Sequence, residues 1–232
     1  MSDDEKLIPN HGGYRSLKSF QVARLIYDVT FRFCELYLEK RGRTHDQMVQ
    51  AARSGVQNIA EGSIDSATSK KSEMFLTNIA RGSLEELHDD YEDFLRQRGL
   101  PEYPPDHPAL QRFKKRRCAT LQEVQAWVAD ELKFHRTDLH GPTQTNTDGK
   151  NKSDQVESPR PCASASVHVR PCSSTPPSAI LAANAALSLI NLASYLLKRQ
   201  VDSQGETFTE EGGFSERLYR IRTERRRKKR KE

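Results

Sequence analysis

The chain is short of the features that usually announce a chemistry. Its four cysteines (Cys34, Cys118, Cys162 and Cys172) form no C-x-x-C pair. Neither a zinc site nor a disulfide framework is expected, and free thiols in a reducing compartment are the better reading. There is no G-x-S-x-G, no glycine-rich phosphate loop behind a strand, and no segment that reads convincingly as β. These absences argue against the common hydrolase and nucleotide-binding classes. A non-enzymatic protein without cofactor or metal is expected. No uninterrupted apolar run reaches the roughly 20 residues of a bilayer span. The opening MSDDEKLIPN is acidic and polar rather than signal-like. A cytoplasmic protein with no membrane partner is expected. Hydrophobic residues are only 35% of 232, and mean hydropathy is −0.80, so part of the chain should stay unpacked.

Charge is present but unevenly placed. Residues 217–232 hold ten Lys or Arg against two Glu, a local charge of +8. The whole chain carries +5, which leaves about −3 for everything else. The basic character therefore belongs to the tail, and the body is mildly anionic.

The clearest structural pattern is residues 47–62, QMVQAARSGVQNIAEG. Met48, Ala51, Ala52, Gly55, Val56 and Ile59 make one apolar stripe of mostly small residues, which lets a neighbouring helix approach closely. Thr44 is a candidate cap for this helix, after a turn at 41–44, and Gly62 a candidate stop. Ahead of it, Ser16 or Ser19 can cap a helix reaching about Lys40. That helix carries Val22, Ala23, Ile26, Phe33 and Tyr37 at helical spacing, widened by Leu25, Val29, Phe31, Leu36 and Leu38. An arc so broad predicts burial against more than one neighbour, inside a bundle or across a subunit interface, so a homo-oligomer is expected.

Thr68 to Glu73 offers a cap followed by an acidic residue, opening a third helix to about Arg98. Its stripe reads Phe75, Leu76, Ile79, Gly82/Ser83, Leu87, Tyr91 and Phe94/Leu95. Glycine mid-helix costs about 1 kcal/mol against alanine, so Gly82-Ser83 predicts a backbone packed beside it. GLPEYPPDHP then breaks the helix. A short basic helical segment follows over 108–117. Another helix over 120–135 places Leu121, Val124, Trp127, Val128 and Leu132 on one side. Residues 138–177 are rich in Pro, Ser, Thr and Asn without periodicity, which predicts a disordered linker. The run AILAANAALSLINLASYLL has the length of a membrane span but carries Asn184, Ser188, Asn191 and Ser194. A buried bundle helix is the preferred reading, since three amphipathic helices need a fourth. EEGGF ends the ordered part.

The sequence thus predicts an all-α protein, an antiparallel four-helix bundle with helices near 17–40, 44–62, 69–98 and 178–200. Its organisation reads as a flexible leader (1–15), three bundle helices (16–98), a helical insertion (99–137), the linker (138–177), a fourth helix with suffix (178–214) and a basic tail (215–232).

Residues 17–97 resemble the four helix bundle protein family, also described as the 23S ribosomal RNA intervening-sequence protein family. Gln47, Ala51-Ala52, Ser54 and Asn58-Ile59-Ala60-Glu61-Gly62 match its second-helix signature. Ala80, Gly82-Ser83-Leu84 and Glu86-Leu87 match its third-helix pattern. AANAALSLINLASYLLKRQ followed by EEGGF resembles the suffix-domain variant, whose fourth helix is displaced by an insertion. Val56 stands where the family usually has Pro. The family includes the accessory variability determinant of diversity-generating retroelements. That resemblance implies a five-subunit basic barrel that binds nucleic acid, RNA being favoured, and a reverse transcriptase as partner. A scaffold that recruits such an enzyme is the alternative function.

Two basic clusters are the nucleic-acid candidates: Lys114, Lys115, Arg116 and Arg117, and then Arg217, Arg220, Arg222, Arg225, Arg226, Arg227, Lys228, Lys229, Arg230 and Lys231. Such clusters hold phosphates through counterion release. Only Phe113 and Tyr219 interleave with them, so base stacking is not indicated. Arg53, Asn58 and Glu61 form a candidate polar cluster, read as structural: Asn58 and Glu61 bonding to backbone or to an Arg. Glu85-x-x-His88 is a single half of the pattern a di-iron bundle needs. It reads instead as part of a solvated acidic face through Glu86, Asp89, Asp90, Glu92 and Asp93. The same face offers a basic segment, from a neighbour or from the tail, a place to dock.

Overall fold

The computed structural model describes residues 13–40, 42–139 and 175–230. A 3-10 turn (Tyr14–Ser16) leads into α1 (Lys18–Tyr37), α2 (Arg43–Asp65) and α3 (Lys70–Gln97). Then come α4 (Pro108–Arg116), α5 (Leu121–Leu139), α6 (Pro177–Glu211) and α7 (Phe214–Lys229). No strand occurs among the described residues, so the protein is all-α. The leader up to residue 12, most of the 138–177 linker, Cys162, Cys172 and Lys231 lie outside the described residues.

Helices α1, α2, α3 and α6 close a ring of neighbours: α1 beside α2, α2 beside α3, α3 beside α6, and α6 beside α1. Hydrogen bonds give the directions. Ser19 donates to Gln200 at 2.7 Å, and Tyr37 at the other end of α1 donates to Ser178 at 3.0 Å, so α1 and α6 run antiparallel. Gln204 donates to Glu73 at 3.0 Å, and Asn184 accepts from the Tyr103 amide just beyond α3, so α3 and α6 do too. Tyr91 on α3 crosses the core to donate to Thr30 on α1 at 3.1 Å. Around it Phe33 meets Tyr37, Tyr91 and Phe94 edge-on at 4.8–5.0 Å, the arrangement the ring quadrupoles favour.

The small stripe of α2 brings α3 close. A Cβ on Gly55 would stand 2.9 Å from Leu84 Cδ2, and Leu84 is fully buried. Gly62 has the same purpose rather than the stop expected of it. α2 runs on to Asp65, Gly62 has no positive φ, and its own Cβ would press on the Glu73 carbonyl at 3.3 Å. Close packing, not chain termination, selects glycine there.

Other boundaries and faces differ from the sequence reading. α1 starts after Leu17, and neither Ser16 nor Ser19 caps it. Ser16 bonds back to Gly13, and Ser19 is drawn to Gln200. Gly42, not Thr44, precedes α2, without a side-chain cap. Ser69 does cap α3, accepting from the Ser72 amide at 3.1 Å. The buried stripe of α3 is Thr77, Ala80, Ser83, Leu84, Leu87, Tyr91, Phe94 and Leu95. Phe75 (64% exposed) and Ile79 face out, and a Cβ on Gly82 would meet nothing within 4 Å. No backbone packs at Gly82. Only Ser83 turns inward, toward Ser54.

The insertion covers the face shared by α1 and α6. Val124 and Trp127 of α5 are buried with Phe113 of α4. This accounts for much of the wide arc of α1 within one chain, with Leu25 and Val29 buried and Phe31 and Leu36 left about half exposed. α6 has the length and hydropathy of a membrane span, yet most of its apolar positions from Ala179 to Leu197 are buried against α1, α3 and α5, with Leu192 and Tyr195 left exposed. It continues to Glu211, eleven residues past the expected end, because Gln204 finds Glu73 and Gly205 lies against Met74.

Candidate nucleic-acid interface

α7 is built for separation from the body. Gly212 adopts φ +72 and its amide closes the last turn of α6 onto Phe208 at 3.1 Å, a geometry that glycine adopts without strain. Glu216 then reaches back to accept from the Gly213 amide at 2.9 Å, half of a capping box that starts the next helix. The tail, expected to lie beyond the ordered part, is helical through Lys229. It makes no extensive contact with any other helix.

Arg222, Arg225, Arg226, Arg227, Lys229 and Arg230 are exposed, and none is paired with a carboxylate among the described residues. At 100° per residue these six spread over about 200° of the helix circumference, wider than a single stripe. Arg220 is also exposed and does have an interaction partner. The side chains of Arg217 and Lys228 lie outside the described residues. Crowded like charges repel one another, so a polyanion wrapped by this helix would relieve a cost the free helix carries.

The second basic cluster is partly spent within the fold. Arg116 bonds Asp130 at 2.8 Å and Lys114 donates to the Pro105 carbonyl at 2.8 Å. Lys115 and Arg117 remain exposed. Arg117 is the C-cap of α4 at φ +51, the only non-glycine residue with positive φ among the described residues.

The polar trio is only partly assembled. Asn58 donates to the Ser54 carbonyl at 2.9 Å and to its hydroxyl at 3.1 Å. Ser54 in turn meets Ser83 of α3 at 3.0 Å. Asn58 thus bonds backbone as expected, while Arg53 and Glu61 are exposed and stand apart from it.

The acidic face of α3 is real. Glu86, Asp89 and Asp90 join Asp46 of α2 along a groove of about 570 Å³. Burial, and then Asp93, Asp89 and Glu86, raise the Asp90 carboxyl above its ordinary value. Among the described residues of α7 other than Arg220, none forms an ion pair with this face. His88 pairs with Glu92 at 3.3 Å, and with Asp89 these ligand atoms lie within 4.8 Å of one another. All three come from one largely solvated helix face.

The sequence reading missed Arg112 and Glu131. Arg112 grips the buried Glu131 through two hydrogen bonds, 2.7 and 2.6 Å, joining α4 to α5. It also missed Asn184, whose amide donates to the Pro101 and Ile180 carbonyls while its oxygen accepts from Tyr103. The only signal was an Asn inside an apolar helix, with nothing to say which segment it would meet. The two described cysteines are free. Burial first, and then Asp90, push the Cys34 thiol up to about 12, and burial raises that of Cys118 as well, so neither is an activated nucleophile.

Fold and site together define an all-α body bearing a cationic helical arm. Comparison with family models, with curated proteins and with solved structures found no match.

Proposed function

We propose that this chain is a non-catalytic nucleic-acid-binding accessory protein, RNA being the favoured polyanion, whose α7 holds phosphates. The observation that carries the reading is the set of six exposed, unpaired cations on a helix that makes no extensive contact with any other. Phosphates attract such a helix whatever their sequence, because neutralising each one releases a condensed counterion. Lys115 and Arg117 add a weaker second contact, and Lys114 and Arg116 are held back by their partners in the fold. The resemblance of residues 47–62 and 80–87 to the four helix bundle family supports the same class. A five-subunit assembly and a reverse transcriptase partner draw on that resemblance alone. In such an assembly several arms would act at high effective concentration on one strand.

Filter binding of a 30-nucleotide single strand, RNA or DNA, across a salt series tests the reading. If six phosphates are neutralised, log affinity falls against log salt with a slope of about −4. A chain ending at Gly213 should lose the binding. Affinity that is insensitive to salt, or that survives the truncation, would contradict the proposal.

A further inference from the structure

A groove of about 680 Å³ lies where α1, the end of α4 and α6 meet, with no α7 residue in its lining. Its floor is apolar: Val22, Leu25, Phe113, Leu189 and Leu192. Its rim carries Lys18, Lys114 and Arg117, and no aspartate or glutamate lines it. In a body whose net charge is about −3 outside the tail, a wholly cationic rim is a local inversion. Arg117 sharpens the point. Its left-handed C-cap position is one where glycine is the ordinary choice and a side chain is strained. The sequence nevertheless keeps a cation there.

The apolar strip does not stop at the groove. Leu192 (46% exposed) is followed by Tyr195 (56% exposed), and Arg199 stands beside the Tyr195 ring at 6.0 Å. Ser188, Leu192, Tyr195 and Arg199 follow one face of α6 over about 16 Å, or three turns. A compact ligand would leave most of that length uncovered. A second helix, with apolar side chains at i, i+3 or i+4, and i+7, matches it.

We propose that this surface docks an acidic amphipathic helix of a partner protein. Its apolar stripe covers Leu192 and the groove floor, and its carboxylates face Lys18, Arg117 and Arg199. The proposal is independent of what α7 binds.

Fluorescence anisotropy on the full chain tests it. One probe is a labelled 18-residue peptide with leucines at i, i+4 and i+7 flanked by glutamates. The other has the same composition, shuffled so that its leucines ring the helix. Both carry equal charge, so α7 captures them alike, and their difference reports the groove. The patterned peptide should bind at least about tenfold tighter, and Leu192→Glu, a surface change, should erase that preference. Arg117→Gly should weaken only the patterned peptide, by about threefold or more, while raising Tm. Equal binding of the two peptides overturns the proposal, as does a preference that survives Leu192→Glu. Binding of sodium dodecanoate in place of the patterned peptide would also overturn it, assigning the groove to a small amphiphile.

Discussion

Two glycines separate α6 from α7, and the helices on either side exist for different reasons. α6 buries an apolar face against α1, α3 and α5 and is held at intervals by Ser19, Asn184 and Glu73. Its polar end, residues 200–211, has little helical pattern of its own and is helical because α3 is there to receive Gln204. Among the described residues α7 makes no comparable packing against another helix. Its Arg, Lys and Glu are strong intrinsic helix formers, but sixteen residues are marginal alone in water. One helix is fixed by burial; the other is conditional on what neutralises its charge.

The comparison can be broken first on the side of the body. Gly55→Val should cost about 3 kcal/mol, because the added atoms collide with a Leu84 that has nowhere to move. A Tm fall of about 6–12 °C is expected on thermal melting. A fall under ~2 °C would mean that α2 and α3 are not so tightly apposed. Arg112→Leu should cost about 2–3 kcal/mol, since it strands the buried Glu131 carboxylate. Glu131→Gln with Arg112→Leu should recover part of that loss in a double-mutant cycle.

Removing residues 214–232 draws the contrast from the other side. Tm should move by less than about 1 °C, because that segment contributes little burial. A marked fall would show the arm packed on the acidic face of α3. The conditional character of α7 predicts in addition that helical circular dichroism rises when an oligonucleotide is added, and that the truncated chain shows no such rise. Fewer repulsions between neighbouring arginines, each worth about 0.2–0.5 kcal/mol, account for the gain.

The smallest effect is electrostatic and sits on the acidic face. Asp90 is raised above its ordinary 3.8 by burial and by Asp93, Asp89 and Glu86. The folded state then holds this proton more firmly than the unfolded state. Its contribution to stability is present at low pH and is lost as pH rises through the folded-state value. Asp90→Asn should therefore raise Tm at pH 7 and leave it nearly unchanged at pH 3. An equal change at both would point to packing instead of charge.

What the sequence disclosed follows from how local each feature is. The cationic arm was legible by counting and the Ser69 cap by short-range chemistry, whereas the extension of α6 from residue 200 to Glu211 was not. The small stripe of α2 announced a close neighbour, but not that Gly62 belonged to the contact instead of ending the helix. Phe75 and Ile79 were placed inside because hydrophobicity alone cannot rotate a stripe by 100°. The neighbour that buries Thr77 and Ala80 decides that. The Arg112–Glu131 pair and the cationic groove join residues that only tertiary structure brings together. No spacing rule reaches from Lys18 through Arg117 to Leu192.

Hydrogen exchange measured with and without a single-stranded oligonucleotide tests the division between body and arm most directly. The account predicts new protection over residues 214–230, with the amides of α1, α2, α3 and α6 unchanged. Protection gained on the faces of the body, with α7 exchanging as before, would contradict it.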